Sequence, residues 1–113
     1  MPQRMFCNAV LDGLVAACPE LAAHLDLYVH EDAGVVMNQV GYLLRDGALS
    51  DYATAFVFRY VNGLAERNEP LVENVLEVLA SSAKSVARAE AELSGRAHSM
   101  FEKLLIGWQT RRG

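Results

Sequence analysis

Three prolines, two cysteines and one tryptophan in 113 residues leave this chain short of the residues that break a backbone or staple it. Two cysteines cannot supply the disulfide framework on which small secreted domains depend. Cys7 and Cys18 stand eleven positions apart. On one unbroken helix that is about 16 Å at 1.5 Å per residue, whereas bridged cysteines hold their Cα atoms within about 7 Å. Reduced core thiols are the expected state. No apolar run approaches the roughly 18 to 20 residues that a membrane span requires. The opening Met-Pro-Gln-Arg-Met-Phe-Cys has no continuous apolar stretch, and no small-residue cleavage site precedes Cys18. It reads as a poor secretory signal, which predicts a soluble, cytoplasmic protein without a membrane partner. With 52% hydrophobic residues and only 8 glycines, the composition also excludes a disordered or collagen-like chain.

Chemistry-bearing motifs are equally scarce. The glycines form neither a GxGxxG nor a phosphate-binding loop; Gly41, Gly63 and Gly107 stand alone in helical patterns, where close helix packing is the simpler reason for them. Of the histidines His24, His30 and His98, only His30 sits in an acidic cluster, with Glu31 and Asp32. That cluster lacks the second ligand three or four residues on that a helical metal site uses. Cys18 and His24 have a spacing no nucleophile motif needs, and Ser99 faces away from His98 on a helix. The expectation is a protein with no catalytic residues, no cofactor and no metal. Ten basic residues against fourteen acidic, net −4, also argue against nucleic acid as a partner.

What the chain does have is helical punctuation. Phe6, Val10, Leu11, Leu14 and Val15 recur at three- and four-residue steps, and Pro19 closes that segment while opening the next, in which Leu21, Leu25 and Tyr28 or Val29 point inward. Residues 33–46 are β-branched enough to include a short strand, although Val36, Val40, Leu43 and Leu44 keep the helical period and Asp46-Gly47 supplies a stop. Ser50 is placed to cap a helix carrying Tyr52, Phe56, Tyr60 and Leu64, with Val57 and Val61 beside them. Asn68-Glu69-Pro70 offers a cap and first turn for a helix with Val72, Val75, Leu76 and Leu79 inward. Ser81-Ser82 ends it; an alanine-rich surface helix follows to Leu93, and Ser94-Gly95 precedes a last helix with Ala97, Phe101, Leu104, Leu105 and Trp108 inward. The predicted fold is all-α: one domain, residues 1–113, a compact bundle of about five to six short antiparallel helices with sequence neighbours packed together.

Charge is unevenly distributed. Residues 1–83 carry four basic side chains against eleven carboxylates, a net of −7, while residues 84–113 carry six against three, a net of +3. The basic Lys103, Arg111 and Arg112 read as favourable charge near a helix C-terminus. Glu31, Asp32, Asp46, Asp51, Glu66, Glu69, Glu73 and Glu77 gather in the middle of the chain, and Glu69, Glu73 and Glu77 share one helical stripe. A solvated face is the simpler reading of that stripe. The functional reading is a surface that docks a basic protein, because opposite potentials speed association and set register.

Cys18-Pro19-Glu20-Leu21, the stretch Tyr28 to Gly34, Tyr60-Val61-Asn62-Gly63-Leu64, the segment Leu71 to Val78 and the region Leu93 to Trp108 together resemble a family of small helical bacterial proteins. That family, of unassigned activity, is found among immunity-type proteins of polymorphic toxin systems. The resemblance implies a cytoplasmic antidote that binds a toxin's catalytic domain, and it assigns no site residues. One alternative is a homodimeric adaptor pairing through exposed Phe58, Ile106 or Trp108. Another is a ligand-binding or enzymatic helical domain with a pocket near Tyr28, His30, Tyr42 and Tyr60.

Overall fold

Asn8 opens the first helix because its side chain accepts a 2.8 Å hydrogen bond from the Val10 amide, satisfying a donor that the first turn leaves unpaired. The structure, a computed structural model, describes residues 8–112, with side chains described over 8–107. Among the described residues seven α-helices and one 3₁₀ turn follow in order: α1 (Ala9–Ala17), α2 (Pro19–Leu25), the turn Asp26–Tyr28, α3 (Ala33–Arg45), α4 (Asp51–Glu66), α5 (Val72–Leu79), α6 (Ala83–Glu92) and α7 (Gly95–Arg112). No strand occurs among the described residues, so residues 33–45 are helix throughout. The all-α expectation therefore holds, with slightly more helices than expected. Phe6, Cys7 and the Trp108 side chain lie outside the described residues, and Cys18 is a buried free thiol.

Two helices end on the same device. At the end of α3, Gly47 takes φ +67°, and the amides of Gly47 and Ala48 bond the carbonyls of Leu44 and Leu43. At the end of α4, Asn68 takes φ +60°, and the amides of Asn68 and Glu69 bond those of Ala65 and Leu64. Both are Schellman motifs. Asn68 thus closes α4, where the sequence suggested that it would cap α5. Asparagine tolerates the left-handed region, and α5 begins only at Val72 after the Pro70 turn, without a side-chain cap.

The spacing of four from Tyr52 to Leu64 does not mark the buried face of α4. Each four-residue step overshoots a turn by about 40°, so three steps rotate the stripe by about 120°. Tyr52 is 77% exposed, whereas Thr54, Val57, Phe58, Val61 and Leu64 are buried. Phe58, at 1% exposure, is a core residue and not an adhesive one.

The most extensive helix pair is α3 with α5, which are not neighbours in sequence, followed by α4 with α7. Asn74 donates to the Gly34 carbonyl and to Asn38 Oδ1, Gly41 lies against Val78, and Arg45 reaches Ser81. Contacts thus advance in the same direction on both helices, so α3 and α5 run parallel. A Cβ at Gly41 would fall 2.8 Å from Val78 Cβ, which explains the glycine. Gly63 has open space around it, and close packing does not account for it. One core cluster takes in residues of every helix from Leu11 to Phe101.

Candidate functional site

Two polar clasps tie the bundle's ends before any surface is left over for a partner. Glu20 on α2 accepts from both the amide and the hydroxyl of Ser50, each at 2.6 Å, while Ser50 Oγ accepts from the Ala53 amide as the cap of α4. Those bonds, the Ser50 hydroxyl first, and the nearby His24 hold the Glu20 carboxyl below its ordinary 4.5. At the other end of α4, Asn62 Oδ1 accepts from the Ser94 amide and its Nδ2 donates to the Glu92 carbonyl, while Glu66 Oε2 accepts from the Arg96 amide at 2.9 Å. The start of α7 is therefore capped by a carboxylate from another helix.

The eight carboxylates singled out in the sequence divide accordingly. Asp32 caps α3 by accepting from the Gly34 amide at 2.8 Å, Asp46 lies 2.9 Å from Arg45 Nε, and Glu66 caps α7; these three serve the fold. Glu69 accepts from the Leu71 amide at a long 3.5 Å. Glu31, Asp51, Glu73 and Glu77 are exposed and make no hydrogen bond or ion pair with any described residue. Glu69 does not stand on α5 itself, since that helix starts at Val72.

Glu69 and Glu73 are brought to one place. They line a groove of about 510 Å³ between the start of α5 and α7. Its α7 side carries Arg96 and Lys103 with apolar Met100 and Leu104, and Ala65, Asn68 and Pro70 complete the lining. Lys103 is nine residues short of the end of α7, so it is not a C-terminal charge as expected. Instead, Arg96, Met100 and Lys103 follow helical steps of four and three along one face. Glu77 belongs to a second, smaller groove of about 260 Å³ with Asn38, Tyr42, Arg45, Val78 and Ser81. There the Arg45 guanidinium lies 4.7 Å from the centre of the Tyr42 ring and bonds Asp46 and Ser81.

The suggested tyrosine pocket is divided. Tyr42 lines the smaller groove, whereas Tyr60 donates to the Val10 carbonyl at 3.1 Å and its ring tilts against Phe56. His30 is exposed, His24 is exposed, and His98 Nε2 sits 3.5 Å from Glu102. Among the described residues no group of three or more His, Cys, Asp or Glu could hold a metal ion, and no helix is long and apolar enough to cross a membrane.

Sequence reasoning passed over Arg96, because its partner wall lies more than twenty positions away in the chain. The regular step from Arg96 to Met100 to Lys103 was the available signal, and reading it requires knowing that α7 packs against α5. No family model, curated protein or solved structure matches the chain.

Proposed function

We propose that this protein is a non-catalytic binding domain that takes the basic surface of another protein on the carboxylates of α5, and that it serves as a cytoplasmic immunity protein neutralising a bacterial toxin. The observation that carries the reading is the state of Glu73 and Glu77. Both are exposed and unengaged by described residues, on a helix whose other side buries Val72, Val75, Leu76 and Leu79. A rigid, well-buried helix that displays charges serving no internal bond is a ready electrostatic target, with oriented charge accelerating encounter and selecting the partner. The resemblance to immunity-type proteins supplies the biological role.

Co-expression with the neighbouring gene's product tests it. That product alone should arrest growth, this chain should restore it, and Glu73→Lys with Glu77→Lys should abolish rescue while the helical circular dichroism is unchanged. Full rescue by the double variant would remove the α5 carboxylates from the proposal. The homodimeric alternative draws on Leu27, which is 88% exposed, and Ile106, which is 61% exposed. Sedimentation of a monomer at high concentration would dismiss it.

A further inference from the structure

The larger groove carries two charges of each sign, and they do not satisfy one another. Glu69 and Glu73 form one wall and Arg96 and Lys103 the other, yet neither basic side chain makes an ion pair with any described carboxylate. Between them Met100 and Leu104 are half-buried and Ala65 is fully buried, so the floor is apolar. Each simple occupant meets an objection. A uniformly basic segment is repelled by the α7 wall, a uniformly acidic one by the α5 wall, and a purely apolar one strips water from four charges without replacing it. A segment that presents an apolar side chain with a cation on one flank and a carboxylate on the other satisfies all three surfaces.

The geometry points to this groove as the seat of a mixed-charge helical segment of the partner protein, its apolar residue on Met100 and Leu104, its basic residue toward Glu69 and Glu73, and its acidic residue toward Arg96 and Lys103. This inference rests on the protein-binding reading above and sharpens it: the partner is not uniformly basic where it enters the groove. The two walls differ in sign, so they also fix the direction in which the segment lies. One helical turn separates side chains on the same face, which matches an apolar residue flanked three or four positions away on each side.

Four alanine-based helical peptides test it against the isotopically labelled full chain by amide chemical shifts. The mixed peptide carries Lys one turn before Leu and Glu one turn after; the others carry Lys on both flanks, Glu on both flanks, or Ala in place of Leu. The mixed peptide should shift amides of residues 65–73 and 96–104 and bind roughly 1.5-fold to fivefold more tightly than the doubly basic one, the range expected of a solvent-exposed charge pair. Lys103→Glu should reverse that order, a switch that loss of structure would not produce, and Arg96→Gln should weaken the preference. If the doubly basic peptide binds as well or better, with shifts confined to 72–79, the groove inference fails while the α5 carboxylate reading stands. Silence with every peptide, or shifts elsewhere, also defeats it and leaves growth rescue to judge the broader proposal. Equal shifts from free leucine would make the groove a small-molecule site and overturn the docking of a segment.

Discussion

Glu20 shows how one side chain can couple two elements that the sequence keeps thirty positions apart. Its carboxylate holds the residue that caps α4, so the first turn of that helix depends on the charge state of α2. A folded-state value below the unfolded one means that this contribution is fully present above the ordinary 4.5 and is lost as pH falls through the lowered value. In urea unfolding, Glu20→Gln should therefore be less stable than the parent at neutral pH and converge with it in acid, where the parent's Glu20 is also neutral. A constant gap across that range would show that the bonds do not depend on ionisation. Ser50→Ala removes the cap and the hydroxyl bond to Glu20 while leaving the amide bond, and a loss of about 0.5 to 2 kcal/mol is expected from the cap alone. Gly95 is a second such residue. It takes φ +54°, and a Cβ there would lie 2.5 Å from Glu66 Oε2. Gly95→Ala should cost about 1 to 2 kcal/mol in backbone strain alone. It should cost less beside Glu66→Ala than in the parent, because the carboxylate it displaces is then already gone. Additive losses in that double-mutant cycle would refute the coupling.

Helices as elements were largely legible, because apolar spacing and caps are local. Pro19, Ser50 and the Asp46-Gly47 stop sit where the expected boundaries fell, and Leu21, Leu25, Val75, Leu76 and Phe101 are buried as their period required. What the spacing could not convey was which helix meets which. The pairing of α3 with α5 depends on Gly41 admitting Val78, and nothing local distinguishes Gly41 from Gly63. The same limit governed the candidate site: a run of carboxylates is visible in a sequence, but not that Asp32, Asp46 and Glu66 are consumed by caps and an ion pair while Glu73 and Glu77 are left over. Two glycine substitutions expose the difference between these helices. Gly41→Ala forces α3 and α5 apart and should destabilise by about 1 to 3 kcal/mol despite its better helix propensity. Gly63→Ala meets no neighbour and should stabilise α4 by about 0.4 to 1 kcal/mol. A raised thermal midpoint for Gly41→Ala would contradict the packing described for it, and a lowered one for Gly63→Ala would contradict the open space there.

At the scale of the whole molecule, burial is shared unevenly among helices that nevertheless belong to one core. Residues of α3, α4 and α5 supply most of the fully buried side chains, Phe101 plugs α7 into the same cluster, and α6 contributes within its span only Ser85 and Ala89. The Ser85 hydroxyl is satisfied by the Leu79 and Ser82 carbonyls, so α6 is held by a short polar hinge at its start, the Asn62 bond to the Glu92 carbonyl at its end and a thin apolar contact between. Segments with little buried apolar surface open at a cost well below that of global unfolding. Amide exchange should accordingly be faster across residues 83–92 than across α3 and α5. Phe101→Ala, which leaves a cavity in the common cluster, should cost about 3 to 5 kcal/mol. That loss should appear in full in the slowest amides of α3 and α5, which exchange only when the whole chain unfolds. Protection in α6 should stay nearly unchanged, since its opening does not require the Phe101 contacts to break. If α6 lost protection by the same amount as α5, it would be part of the global cooperative unit, and its sparse burial would not set its stability.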